Sequence, residues 1–158
     1  MIKGVIFDMD GVMIDTERQS TLGWLHAFEE HGSEIPMWLI NKFKGAPAHL
    51  SAEYFDEYFK GKFDYWQMRQ ERSDYVHELR KTEGVPVKYG LYTLLEAIRT
   101  RGLKCAVATS TQKQSATNSL TEIGAMSYLD AVVYGDEVEH GKPEPDIFLR
   151  AAEQIGVA

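Results

Sequence analysis

An α/β fold on a parallel sheet, interrupted after its first strand by an inserted α-helical segment, is predicted by three observations on the sequence. Short apolar runs rich in β-branched residues stand at residues 2–7, 103–108 and 131–134. Helical stretches at 91–100 and 112–123 precede the second and third of these runs, and that alternation implies βαβ units with parallel strands. Residues 15–85 contain no strand-like run and instead repeat apolar residues at helical spacing.

Taken in order, residues 2–7 read Ile-Lys-Gly-Val-Ile-Phe and end at acids and a glycine, the pattern of a buried strand followed by a loop. Thr16 with Gln19 reads as a capping box opening a helix that runs to about His31, where Gly32 stops it. Further helices are expected over 36–43, 51–59 and 63–82. Tyr54, Phe55, Tyr58, Phe59, Phe63, Tyr65 and Trp66 fall at helical spacings that place them in a bundle core. The next helix is closed by Gly102, and the strand Leu-Lys-Cys-Ala-Val-Ala follows. A third strand ends at Gly135-Asp136, and Pro145 suits the first position of a last helix. The expected division is an α/β core of residues 1–14 and 86–158 around a helical insert of residues 15–85. No internal repeat or low-complexity stretch is present.

Composition narrows the function classes. The chain has 158 residues, 44% hydrophobic and 26% charged, enough for a soluble globular core. No apolar run approaches the roughly 18 residues that span a bilayer, and no signal peptide is evident. Cys105 is the only cysteine, so no disulfide can close within the chain; a cytoplasmic setting is expected, and Cys105 should be buried and inert. The net charge of −7 argues against a nucleic-acid partner. The five histidines lack the spacing of zinc ligands. Neither a nucleic acid nor a membrane is an expected partner, and a monomer is expected.

Three places carry chemistry. Asp8 and Asp10, in Asp8-Met9-Asp10-Gly11-Val12, stand two residues apart at the carboxyl end of a strand, where open α/β sheets bind ligands. Two such carboxylates repel unless a cation is near, and Gly11 permits a tight turn. Alone, the pair reads equally as an acidic turn. A calcium loop is set aside because its bidentate Glu would fall on Gln19. Thr109-Ser110-Thr111 follows a buried strand and precedes a helix, a position suited to phosphate. Simple N-capping by Thr111 with Gln114 is the alternative, and the two are compatible. Lys142, between Gly141 and Pro143, can present a fixed positive charge; alone it reads as a surface lysine in a Pro-rich turn.

Together, each after a different strand of one sheet, these motifs resemble those of the haloacid dehalogenase (HAD) superfamily along essentially the whole chain. Asp8-Met9-Asp10-Gly11-Val12 matches its first motif, Thr109 its second, and Lys142 in Gly-Lys-Pro-Glu-Pro-Asp its third. The helical insert looks like the cap of the first subgroup, similar to β-phosphoglucomutase and phosphoglycolate phosphatase. The resemblance implies a HAD-like, Rossmann-like parallel sheet core with an inserted α-helical cap domain. It implies a Mg²⁺-dependent phosphatase acting on a small phosphorylated metabolite through an aspartyl-phosphate. Asp8 would be the nucleophile and Asp10 the acid and base. Both would belong to the metal site, Asp8 through its carboxylate and Asp10 through its backbone carbonyl, while Thr109, Ser110 and Lys142 would hold the phosphoryl group. Asp10 favours phosphate esters, since the dehalogenases and phosphonate hydrolases of the superfamily lack an acid there.

The family's fourth motif, an acidic pair, is expected after a further strand. The sequence ends at Ile155-Gly156-Val157-Ala158, where that strand should begin, and Asp136-Glu137 stands too early to replace the pair. An inactive fragment that only binds phospholigand is therefore a third reading, of another class. The runner-up to hydrolysis is a sugar phosphomutase, against which Ser20 and Ala48 stand where the resemblance implies a histidine and an arginine in those mutases. Lys44, before Gly45, is a candidate substrate contact from the cap, although alone it reads more readily as a solvated charge.

Overall fold

The computed structural model describes residues 1–157. The chain divides into two compact units, Met1–Asp15 with Val85–Ala158, and Thr16–Gly84. In the first unit β1 (Gly4–Phe7), β2 (Lys104–Ala108) and β3 (Ala131–Val133) form a parallel sheet in the order β1-β2-β3. Its helices are α5 (Leu91–Thr100), α6 (Lys113–Glu122) and α7 (Asp146–Gln154). The register sets Phe7 opposite Val107 and Ala108 opposite Val133. Successive side chains leave opposite faces of a strand. Phe7, Cys105 and Val107 therefore pack with Leu95 and Leu120 of α5 and α6, while Ala106, Ala108 and Val133 pack with Ile147 and Ala151 of α7. Burial of both faces is why these strands read as unbroken apolar runs rather than as alternation.

The first strand begins at Gly4, two residues later than its apolar run, and Ile2 before it remains 73% exposed. The last helix of this unit opens at Asp146 with Pro145 as its N-cap, one position earlier than expected for that proline.

Cys105 is buried, with its backbone N–H donating to Asp130. Burial, and secondarily the Asp130 charge, push its thiol up to about 11. At pH 8 only about one part in a thousand would be thiolate on that value, so Cys105 is expected to resist iodoacetamide until the protein is unfolded. Rapid stoichiometric labelling of the native protein would contradict the packing described for β2.

The second unit contains α1 (Thr16–Glu30), α2 (Met37–Phe43), α3 (Ala48–Phe59) and α4 (Tyr65–Glu83). Its core joins Trp24, Phe28, Leu39, Ile40, Phe55 and Tyr65. Phe28 lies at the centre, 4.9 Å from Phe59 and 5.1 Å from Phe63 between ring centroids. Most of the aromatic set is in or against this core, but Tyr58 and Trp66 are 45% and 54% exposed. Each stands one position from a core residue, and the turn of about 100° between neighbours on a helix carries it to the edge of the buried face. Gln19, which the sequence pairs with Thr16 in a capping box, makes a longer-range contact. Its side chain is fully buried, donates to the Gly84 carbonyl and accepts from Arg80 Nε, tying the start of α1 to the end of α4. Among the described residues no helix is long and apolar enough to cross a membrane.

Candidate active site

Asp8 and Asp10 stand just beyond the carboxyl end of β1. The loop that carries them is held tightly: the Met9 carbonyl accepts from the Met13 and Ile14 amides, and Gly11 N–H donates to the Ile14 carbonyl. Gly11 takes φ 79°, a conformation that favours glycine. Met9 and Met13 are buried, which anchors the loop between its polar residues. Asp8 and Asp10 are each half-buried.

Lys142 reaches this loop from the turn before α7. Its Nζ donates to Asp8 Oδ1 at 2.7 Å and to the Ala108 carbonyl at 3.0 Å, and lies 4.9 Å from the Phe148 ring. Asp8 Oδ1 also accepts from Met9 N–H at 2.8 Å. Three contacts therefore fix one ammonium at the ends of β1 and β2, and that geometry joins the first and third motifs directly. The peptide Lys142–Pro143 is cis.

The hydroxyl motif follows β2. Thr109 is fully buried, and its Oγ1 accepts from Thr111 N–H at 3.1 Å. Ser110 is exposed. Thr111 Oγ1 donates to Asp10 Oδ2 at 2.7 Å. The residue assigned to helix capping thus fastens the Asp10 carboxylate instead. Gln114 is no cap partner either, since it donates to Asn118 four residues on. The start of α6 is served from the neighbouring loop, where Asp136 Oδ1 accepts from Lys113 N–H at 3.1 Å. Glu137 accepts from Lys113 Nζ at 3.3 Å, so both members of the early acidic pair are engaged in holding this loop to α6. Gly135 crosses Ser110 so closely that a Cβ on it would run into the Ser110 carbonyl. Sequence reasoning missed Thr111 as a partner of Asp10 and Gly135 as a close approach. The only available signal was their position at strand ends.

Thr111→Val removes a hydrogen bond to a charged group, worth about 1.5–3 kcal/mol, without changing side-chain shape. Turnover is expected to fall about ten- to a hundredfold, with the thermal unfolding midpoint little changed. Unaltered steady-state rates would mean that Asp10 needs no such anchor.

Lys44, the remaining candidate, is exposed in the helical unit, with Nζ 3.9 Å from Glu17.

Residues 5–158 match the model of the haloacid dehalogenase-like hydrolase family. The phosphorylated carbohydrates phosphatase of Thermotoga maritima is 30% identical over 99% of this chain and 72% of its own length. Bacillus subtilis β-phosphoglucomutase is 27% identical over 99% of this chain and 71% of its own. A crystal structure from Thermotoga maritima superposes with a TM-score of 0.80 at 28% identity, over 99% of this chain and 72% of that one.

Proposed function

We propose, because the chain belongs to the haloacid dehalogenase-like hydrolase family, that this phosphoric monoester hydrolase cleaves a small phosphorylated metabolite with Asp8 as nucleophile. The observation that carries the reading is the contact of Lys142 Nζ with Asp8 Oδ1 at 2.7 Å, beside an Asp10 held by Thr111. A cation with three fixed partners aims one carboxylate, and the second carboxyl is positioned separately for proton transfer.

An Asp8 carboxylate oxygen attacks phosphorus, the bond from phosphorus to the ester oxygen breaks, and Asp10 gives its proton to the departing alkoxide. Asp10 then takes a proton from water as that water attacks the same phosphorus. The acyl-phosphate bond breaks, inorganic phosphate leaves and Asp8 is restored. Lys142 and Ser110, with the hydroxyl of Thr109 behind them, receive the phosphoryl oxygens; Lys142 offsets their charge.

The donor set also suits Mg²⁺. Adjacent hard oxygens, the Asp8 carboxylate and the Asp10 backbone carbonyl, would hold it. Among the described residues no group of three or more His, Cys, Asp or Glu gathers as a metal cage. Mg²⁺ does not require one, since it keeps several waters and commonly binds through one or two carboxylates and substrate phosphates. When bound it supplies positive charge that offsets the nucleophile and the phosphoryl oxygens.

The test is hydrolysis of p-nitrophenyl phosphate by the purified chain. Release of inorganic phosphate is expected with Mg²⁺, lost on chelation and restored by adding the metal back. Interconversion of sugar phosphates without phosphate release would overturn hydrolysis in favour of a mutase. Ser20 and Ala48, where the resemblance implies a histidine and an arginine in mutases, favour hydrolysis.

A further inference from the structure

Thr111, whose hydroxyl holds Asp10, lies in neither a strand nor a helix. Residues 109–112 join β2 to α6, and the sheet ladder stops at Thr109, whose N–H donates to the Val133 carbonyl at 3.0 Å. A hydroxyl can keep a carboxylate in one place only if its own backbone is held. Within the segment Thr111 N–H donates to Thr109 Oγ1. From outside, the segment is held by the short 3₁₀ turn Gly135–Glu137 that follows β3. Gly135 N–H donates to the Thr111 carbonyl at 3.2 Å, and Asp136 Oδ1 accepts from Lys113 N–H at 3.1 Å. One bond meets Thr111 itself and the other meets the chain two residues on.

Asp136 takes the place of a local cap. The first amides of a helix have no partner within it, and a side-chain oxygen at the N-cap ordinarily supplies one. Gln112, at the N-cap of α6, makes no such bond with its side chain. Asp136 brings the acceptor from 23 residues further along, and its charge suits the positive end of the helix dipole. The turn that carries Asp136 is itself braced. Glu137 Oε2 accepts from Tyr134 N–H at 3.4 Å, and the Glu137 carbonyl accepts from Arg150 Nη1 of α7. Tyr134 is buried, and its hydroxyl accepts from Thr117 at 3.0 Å. The turn also abuts the segment it holds, since a Cβ on Gly135 would meet the Ser110 carbonyl.

We infer that Asp136 is a positioning residue for the acid–base carboxyl of Asp10, acting through the Ser110–Lys113 segment. The inference rests on the reading of Asp10 as the group that protonates the departing alkoxide. Asp136 touches none of the reacting atoms. It fixes Lys113 N–H and so the backbone around Thr111, and the Thr111 hydroxyl, 2.7 Å from Asp10 Oδ2, aims the carboxyl.

The leaving group's need for a proton separates a displaced acid from general loosening. Phenyl phosphate releases a far more basic oxyanion than p-nitrophenyl phosphate, so its cleavage draws more on the acid. Comparing kcat/KM isolates this step, because that quantity covers events up to and including departure of the leaving group. On the full chain with Mg²⁺, Asp136→Ala is expected to lower kcat/KM for phenyl phosphate at least about threefold more than for p-nitrophenyl phosphate, the scale on which losing a cap loosens a helix start. Asp136→Asn keeps an oxygen for Lys113 N–H and should restore most of that difference. Hydrogen exchange without substrate should be faster over residues 109–113 in Asp136→Ala, with β1 and β2 as slow as in the parent. Equal loss on both esters, no rescue by Asn, or unaltered exchange over 109–113 overturns the positioning role. A parent that released no phosphate from either ester would overturn the hydrolase reading and this role with it. Equal loss in the variant of an active parent overturns the positioning role alone.

Discussion

Asp8→Asn is expected to abolish phosphate release, lowering turnover by at least about 10⁴-fold, the scale seen when a nucleophile is removed. An amide of nearly the same shape retains an oxygen for Lys142 Nζ and Met9 N–H, the two donors that Asp8 Oδ1 now accepts from. The fold should therefore survive, and a circular-dichroism spectrum and unfolding midpoint close to the parent's would separate lost chemistry from lost structure. A variant retaining a tenth of the parent rate would remove Asp8 from the nucleophile's role.

The second large effect is expected at Lys142. Lys142→Met keeps much of the aliphatic stem but withdraws the ammonium from Asp8, from the Ala108 carbonyl and from the Phe148 ring. Losing one fixed charge directed at developing negative charge costs about 10²–10³ in turnover. Arginine should rescue poorly: its planar fork cannot occupy the compact position from which one Nζ meets both oxygens, at 2.7 and 3.0 Å. The comparison is steady-state kinetics of the Met and Arg variants with Mg²⁺. Full activity in Lys142→Arg would show that charge alone, rather than its placement, serves the reaction.

What the sequence revealed follows from where each signal resides. Residues 103–108 read as a strand because β2 is buried on both faces, so its inward and outward residues are alike apolar. Leu91–Thr100 read correctly to both ends because Leu91, Leu95 and Ile98 keep a single buried stripe and Gly102 follows. Motif positions at strand ends were visible for the same reason. Side-chain partners were not visible where they come from distant segments. Thr111 looked like a local cap because Gln114 stands three residues on, yet its partner is Asp10, 101 residues away. Asp136 caps α6 from 23 residues further along, and Gln19 meets Arg80 across 61. Tyr58 and Trp66 share the composition of a core segment but stand at the edge of the buried face of their helices, which spacing alone resolved poorly.

The most direct test is capture of phosphorylated Asp8 during turnover. Enzyme mixed with Mg²⁺ and substrate is quenched in acid within one turnover, digested, and examined by mass spectrometry. A phosphoryl group on the peptide containing Asp8, absent from Asp8→Asn, is the expected result. Unimpaired turnover with no phosphoryl group on Asp8, or with one on another side chain, would contradict nucleophilic attack by Asp8.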